Sequence, residues 1–148
     1  LFREYFDIAE YRYHKKDWKV RIDGVEVFED YRNPIYEYAY DNVFISDVRD
    51  FVPDNPYELV YFGDVLEHMK KEDALDLIRR FRKQSNILIS TPNGNYLQDE
   101  CFGNKFEKHL CGFQAGDFDE FKAKYVSIGN MLVVAIKCKK KFKKSRKG

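Results

Sequence analysis

What this sequence lacks most clearly is a long apolar segment, because no run of about 18 apolar residues occurs in it. A membrane-spanning helix is therefore not predicted, and no short apolar segment with a basic start indicates a signal peptide at the N-terminus. Cysteine is also scarce: the chain has 3, Cys101, Cys111 and Cys138, at spacings that suggest no pairing. An odd number of unpaired cysteines is typical of reduced thiols, so we expect a cytoplasmic location.

Net charge is small as well, at +1, but the charges are unevenly distributed. The last twelve residues, 137–148, hold eight Lys or Arg and no acid, which leaves 18 basic against 25 acidic residues in the rest of the chain. Such a tail can contact nucleic acid, but the favoured interpretation is a solvated terminus, because Phe142 alone offers little stacking capacity. We expect one α/β domain over residues 1–136 and a basic tail over 137–148.

Strand and helix patterns alternate along the chain. Apolar side chains recur on one face of a helix around residues 74–81, and the continuous apolar run at 59–62 is typical of a strand buried on both faces of a parallel sheet. Gly129-Asn130 is a two-residue hairpin signal. The predicted elements are helix 1–14, strand 18–28, helix 34–40 after Asn33-Pro34, strand 43–45, strand 59–62, helix 73–83, strand 87–89, a loop over 93–116, a helix capped by Asp117, and a hairpin over 126–136. This order predicts an α/β fold with a parallel sheet.

Carboxylates lie near the ends of three of the predicted strands: these are Glu26, Asp47 and Asp64, and Ser90-Thr91 ends a fourth strand. In open α/β sheets, ligands bind beyond the carboxyl ends of the strands. Buried acids are costly unless they are paired, so a row of them is better explained by a ligand rich in hydroxyl and amine groups than by the core. Helix capping or solvent exposure is the alternative for any single one.

These residues form a pattern that resembles a known family. Gly24-Val25-Glu26-Val27-Phe28 precedes Asp47, which lies 21 residues after Glu26, and Gly63-Asp64-Val65-Leu66-Glu67-His68 follows. The segment from Tyr57 to Gly94, which includes Thr91-Pro92-Asn93-Gly94, most closely resembles class I, Rossmann-like, S-adenosylmethionine-dependent methyltransferases. The resemblance extends up to the basic tail. It implies a mostly parallel sheet with helices on both faces, closed by a C-terminal antiparallel hairpin.

The resemblance also implies where S-adenosylmethionine binds. It assigns the ribose hydroxyls to Glu26, with Val27 beside it, and the adenine amine to Asp47, with the Val48 amide at the ring. It places Gly63 and Asp64 beside the methionine end and the methyl donor. In the family, a first strand and a Gly-x-Gly loop precede a helix like the one predicted at 1–14, yet no Gly occurs before Gly24. We therefore expect that the natural protein begins upstream and that this chain lacks the first strand. Without the glycine-rich loop the chain can be inactive, and the sequence leaves open whether it binds the cofactor.

Two clusters of acids and histidines raise the question of a metal. Asp64-x-x-Glu67-His68 lies at a strand-to-helix turn, and Glu107-Lys108-His109 lies in the loop after the next strand. Two His and two carboxylates can bind a divalent metal, and the arrangement is similar to that of small-RNA 2′-O-methyltransferases, in which a metal orients ribose hydroxyls. The alternatives are that His68 is a general base on the substrate side or a packed loop residue. We predict Glu67 and His68 as catalytic residues, and no bound metal.

The remaining predictions concern the acceptor. The loop over 93–116 is the expected acceptor lid, with Tyr96, Phe106 and His109 as its candidate contacts. We predict an enzyme that methylates a small molecule or a sugar in preference to nucleic acid, and that can form homo-oligomers. The alternatives are a non-catalytic methyltransferase-like binding domain and a metal-assisted RNA 2′-O-methyltransferase. A nicotinamide-dependent oxidoreductase ranks last, because it does not need the Asp-Val-Leu-Glu-His segment.

Overall fold

A computed structural model describes residues 1–140 of the chain. The chain forms two compact units, Leu1–Val52 and a second that begins at Pro53, and each has its own β-sheet. The part of the predicted basic tail beyond Lys140 lies outside the described residues. Within residues 1–140, no helix is both long enough and apolar enough to cross a bilayer.

The N-terminal segment of the first unit is helical only in part. Helix α1 spans Phe2–Phe6 and a 3-10 turn follows at Ile8–Glu10, so the continuous helix predicted over residues 1–14 is wrong. Asp7 explains the break, because its buried carboxylate accepts hydrogen bonds from the side chains of Arg3 and Arg12 and from the backbone N–H of Lys19. A short polar side chain that bonds distant groups in this way favours a turn over a continued helix.

The strand predicted over 18–28 is also shorter than expected, since β1 spans only Asp23–Glu26. The backbone just before it bonds largely to side chains, although Ile22 O also accepts a hydrogen bond from Asp41 N at 2.7 Å. Arg3 Nη1 donates to Val20 O at 2.7 Å, and Ile22 N donates to Asp41 Oδ2 at 2.7 Å. The Arg3 guanidinium also lies over the Trp18 ring, 3.6 Å from its centroid, which is a cation–π contact.

The sheet of the first unit consists of two parallel strands. Strand β1 pairs with β2 (Asn42–Ile45), with Gly24 opposite Val43. Helix α2 (Pro34–Ala39) connects them, and Asn33 Oδ1 caps it by accepting a hydrogen bond from Ile35 N at 2.9 Å. Pro34 is tolerated at the first helical position because that residue's N–H would have no partner within the helix. The predictions of a helix and a strand in this region are confirmed.

The second unit contains a four-stranded sheet in the order β3-β4-β6-β5. Strand β3 (Leu59–Gly63) runs parallel to β4 (Asn86–Pro92), and β5 (Lys124–Ile128) and β6 (Met131–Ile136) form the predicted antiparallel hairpin. Helix α3 (Lys71–Phe81) connects β3 to β4 and buries one apolar face. The core residues of this unit that come from α3 and the central strands are Ala74, Leu77, Ile78, Phe81, Ile87, Ile89, Leu132, Val134 and Ile136. The predicted α/β class is confirmed.

One predicted cap is wrong. A 3-10 helix spans Ala115–Phe121, and its N-cap residue is Gln114, not Asp117. Asp117 lies inside the first turn, where its Oδ2 accepts a hydrogen bond from Gln114 N at 2.8 Å. The same oxygen forms an ion pair with Lys71 Nζ at 3.0 Å. The Asp117 carboxylate therefore still stabilises the N-terminus of the helix, as an acid in the first turn commonly does.

Candidate functional site

The first of the predicted site residues, Glu26, ends β1 and bonds within its own unit. Its Oε1 accepts a hydrogen bond from Phe28 N at 2.8 Å, and its Oε2 accepts one from the Tyr36 hydroxyl at 3.3 Å. Burial and the nearby Glu26 carboxylate raise the pKa of Tyr36 to about 12, so Tyr36 remains a donor at neutral pH. Val27 follows Glu26 directly and is partly buried. A carboxylate offers about four acceptor sites, so Glu26 retains capacity for further donors.

Asp47, in the turn after β2, is held by its own loop. Arg49 donates to both carboxylate oxygens, with Nη2 at 2.6 Å from Oδ2, and the backbone N–H of Arg49 donates to Oδ1 at 2.8 Å. These bonds lower the pKa of Asp47 below its usual value. Val48 lies between them in sequence and is partly buried. The carboxylate that the sequence assigns to an adenine amine is therefore already engaged by a guanidinium.

In the second unit, β3 ends at Gly63 and the chain turns at Asp64, whose backbone is left-handed with φ 50°. Asp64 N donates to Ser90 O at 2.9 Å, and the Asp64 side chain is exposed. A Cβ on Gly63 would lie 2.6 Å from the Tyr61 ring, whose hydroxyl shares a 2.7 Å hydrogen bond with Ser90 Oγ. Only glycine therefore fits at position 63 while the Tyr61 side chain keeps this position.

Glu67 is a buried acid of the second unit, with only 1% of its surface exposed. Its Oε2 accepts a hydrogen bond from Thr91 Oγ1 at 3.1 Å. Its Oε1 is buried and has no hydrogen-bond partner. Burial raises the pKa of the Glu67 carboxyl above its usual value. A buried acceptor without a partner costs about 1 to 3 kcal/mol, so this oxygen calls for a physical explanation.

Two imidazoles lie beside that carboxylate. One potential ligand atom from each of Glu67, His68 and His109 lies within 4.8 Å of the other two. The His68 and His109 rings meet edge to face, with centroids 4.8 Å apart. His68 Nδ1 lies 3.3 Å from Lys108 O, and His109 Nδ1 lies 2.6 Å from Tyr96 O. A carbonyl oxygen can only accept, so both Nδ1 atoms carry the proton and both Nε2 atoms have a free lone pair in the neutral rings.

The loop between β4 and the 3-10 helix brings His109 to this place. Leu110 N and Cys111 N both donate to the backbone oxygen of Glu67, at 2.8 and 3.2 Å, and His109 N donates to Gln98 O at 3.0 Å. The Tyr96 side chain is exposed, and its ring lies 6.2 Å from that of His109. Phe106 lies in a short 3-10 turn, Lys105–Glu107, that Asn104 caps. The structure thus places His109 and Tyr96 next to the turn that contains Glu67 and His68.

The sequence interpretation missed the partner of Glu67. The sequence indicates Thr91 only as the end of a strand, whereas the structure shows that its hydroxyl donates to the Glu67 carboxylate. The available signal was the position of Thr91 at the carboxyl end of β4, because β4 lies beside β3 and the turn after β3 contains Glu67. Parallel neighbours present their carboxyl ends at the same sheet edge, so a polar side chain there is a candidate partner for any acid in the adjacent turn.

No protein-family model matches this chain, and no curated protein matches it either. Solved structures do match. A structure of PigF with SAH has a TM-score of 0.50 at 16% identity, over 69% of this chain and 36% of PigF. A chain of the Pnkp1/Rnl/Hen1 RNA repair complex has a TM-score of 0.54 at 20% identity, over 86% of this chain and 34% of that one. The methyltransferase domain of bacterial CtHen1-CN has a TM-score of 0.51 at 14% identity, over 83% and 80%.

These likenesses concern the fold, because every identity is 20% or lower. The chain spans about a third of the length of PigF and of the matched chain in the repair complex. The strand pairing agrees with the Rossmann-like arrangement that the sequence predicts, with parallel pairs followed by a closing antiparallel hairpin. The chain therefore has the fold of the class I, S-adenosylmethionine-dependent methyltransferases.

Proposed function

We propose that this chain binds S-adenosylmethionine and transfers its methyl group to a nucleophilic acceptor. The observation that carries the proposal is the fold, which is similar to that of a methyltransferase domain and of PigF with SAH. In the reaction, a lone pair of the acceptor forms a bond to the methyl carbon, the carbon–sulfur bond breaks, and S-adenosylhomocysteine leaves. A sulfonium is already an activated methyl donor, so positioning of the acceptor supplies most of the rate.

The residues present fit the cofactor to different degrees. Glu26 fits the ribose hydroxyls directly, since each of its oxygens accepts one hydrogen bond and can take another. Asp47 fits the adenine amine only after Arg49 releases it, and the Arg49 side chain is exposed and can rotate. Glu26 is therefore the best single residue on which to test cofactor binding.

Calorimetric titration of S-adenosylhomocysteine into the chain tests the proposal. Hydrogen bonds to a charged group contribute about 1.5 to 3 kcal/mol, so Glu26→Gln is expected to weaken binding roughly 10-fold or more. Glu37→Gln is the matched control, because Glu37 is an exposed acid on α2 of the same unit. Absence of binding to the folded wild-type chain would contradict the proposal and favour a non-catalytic association domain.

A second candidate function is more specific: metal-assisted methylation of a sugar hydroxyl, with the terminal ribose of RNA as the acceptor. The observation that favours it is the Glu67 carboxylate, whose buried Oε1 has no partner and which lies in one cluster with His68 and His109, whose Nδ1 atoms are held by backbone carbonyls. One carboxylate and two imidazoles form a donor set suited to a divalent transition metal. Such an ion, held by these three residues, would lower the pKa of a bound hydroxyl and make it a better nucleophile.

The three residues fit a metal with little rearrangement. Ligands at about 2.0 to 2.2 Å from one ion lie roughly 3 to 4 Å from one another, so the cluster would have to contract by about 1 Å. Each imidazole already donates its Nδ1–H to a backbone carbonyl, which is the usual support for a histidine that binds metal through Nε2. The similarity in fold to a chain of an RNA repair complex supports RNA as the acceptor.

Titration with cobalt(II) and a methylation assay test the second candidate. We expect wild type to bind cobalt(II) with visible absorption bands, and His109→Ala to bind about 10-fold or more weakly. His14→Ala is the control, because His14 is exposed in the other unit. An RNA that ends in a 2′,3′-diol should accept methyl in the presence of metal, and a 3′-deoxy end should accept less. Equal methylation of both ends, or no cobalt(II) binding, would contradict this candidate.

A further inference from the structure

We infer that Thr91 is a positioning residue, whose hydroxyl orients the Glu67 carboxylate so that Oε1 faces the two histidines. The inference rests on the second candidate function, the metal site of Glu67, His68 and His109. In this role Thr91 acts on the site through the hydrogen bond from its Oγ1 to Glu67 Oε2, and not as a ligand.

The position of the Thr91 hydroxyl is fixed from several directions. Thr91 has no exposed surface, and it lies in β4, where it pairs with Leu132 of β6. A β-branched side chain has few χ1 rotamers to choose from, and a buried strand position restricts them further. The hydroxyl therefore cannot follow the carboxylate if the carboxylate rotates. The carboxylate must instead orient itself to the hydroxyl.

This orientation determines which oxygen of Glu67 is left for a ligand. Oε2 accepts the Thr91 hydroxyl at 3.1 Å, so Oε1 is the oxygen that remains without a protein partner. The two imidazoles are oriented by the same principle, since a backbone carbonyl holds Nδ1 of each ring and leaves Nε2 free. All three ligand groups thus have one atom held by the protein and one atom free. Such outer-shell partners usually contribute to metal affinity.

A purely structural role for Thr91 makes a different prediction. In that case the hydroxyl only satisfies a buried acid, and its loss lowers the stability of the fold without changing how tightly the folded protein binds metal. A positioning role predicts a change in metal affinity and in the cobalt(II) absorption spectrum, measured well below the unfolding temperature. The two roles can therefore be separated by a binding measurement on folded protein.

The experiment compares wild type with Thr91→Val and Thr91→Ser by cobalt(II) calorimetry and visible absorption. Thr91→Val keeps the shape but loses the hydroxyl, and we expect its dissociation constant to rise about 10-fold or more. Thr91→Ser keeps the hydroxyl, and its affinity for cobalt(II) should stay within about threefold of wild type. This second variant keeps the inference testable if Thr91→Val fails to fold. Ser85→Ala is the control, since it removes a buried hydroxyl just before the amino end of β4.

Each outcome has one meaning. Weaker binding and an altered spectrum in Thr91→Val, with near-wild-type behaviour in Thr91→Ser and Ser85→Ala, support the inference. Equal affinity and equal spectra in wild type and Thr91→Val overturn the inference but leave the metal site intact. Absence of cobalt(II) binding to folded wild type overturns the metal site and the inference together.

Discussion

Replacement of Glu67 by Gln should stabilise the metal-free protein, against the usual expectation for a buried polar residue. The wild-type carboxylate has one buried oxygen without a partner, which costs about 1 to 3 kcal/mol. The amide keeps an oxygen for the Thr91 hydroxyl, and its NH2 group can donate to the free Nε2 of His68 or His109. We expect a gain of about 1 kcal/mol, which corresponds to roughly 2 to 4 °C in the unfolding temperature of a chain of this size.

Addition of metal should reverse this order. Binding to the folded state alone stabilises a protein by about 2.7 kcal/mol when the ligand is present at 100 times its dissociation constant. Wild type should then gain roughly 5 to 11 °C. Glu67→Gln should gain much less, because a neutral amide oxygen is a weaker ligand than a carboxylate.

Differential scanning calorimetry at pH 7, with a chelator and then with cobalt(II), measures both effects. Glu100→Gln is the control, because it removes an exposed carboxylate from the same loop and should change neither temperature by more than about 1 °C. A variant less stable than wild type in chelator would refute the idea that Oε1 is costly when empty. Equal stabilisation of wild type and Glu67→Gln by cobalt(II) would refute Glu67 as a ligand.

Three further predictions concern the stability of the two units, each taken by itself. Gly63→Ala should destabilise the protein by about 1 to 3 kcal/mol in urea denaturation, because its Cβ would lie 2.6 Å from the Tyr61 ring, and adding Tyr61→Ala should recover much of that loss. Burial alone would raise the pKa of Asp7, but hydrogen bonds from Lys19 N, Arg12 and Arg3 outweigh it and lower the pKa to about 2. The resulting stability is present above about pH 4 and is lost as the pH falls towards 2, so acid unfolding monitored by circular dichroism should be steeper in wild type than in Asp7→Asn. Asn33→Ala should cost about 1 kcal/mol through loss of the α2 cap, and an unchanged unfolding temperature would show that the cap is dispensable.

Elements whose own residues determine their structure were predictable from the sequence. Helix α3 follows from its apolar periodicity, α2 from Asn33-Pro34, and the β5–β6 hairpin from Gly129-Asn130, whose Gly129 has the left-handed φ of 57° that such a turn requires. The predicted helix over residues 1–14 failed for the opposite reason. Its periodicity was adequate, but the hydrogen bond from Lys19 N to Asp7 joins residues twelve apart in sequence, and no helical pattern indicates it.

The residue types of the candidate site were predictable from the sequence, but the hydrogen bonds that orient them were not. The adjacency of Glu67 and His68 is written in the sequence, and the loop after β4 was the natural place to look for a second histidine. The hydrogen bonds that support these side chains could not be predicted from the sequence. Two of the three are accepted by the backbone carbonyls of Tyr96 and Lys108, and every residue type has such a carbonyl. The third, from Thr91, depends on which way a side chain leaves the end of β4.

The two catalytic interpretations of His68 differ in whether they explain the burial of Glu67. A histidine that acts as a general base is commonly oriented by a carboxylate on Nδ1, which also stabilises the imidazolium that forms. Here Nδ1 of His68 lies 3.3 Å from Lys108 O, which also leaves Nε2 free for a base, whereas Glu67 has one oxygen held by Thr91 and one without a partner. A base at His68 leaves the burial of Glu67 unexplained. A metal uses all three groups, with the atoms that the protein leaves free, so the geometry favours the metal.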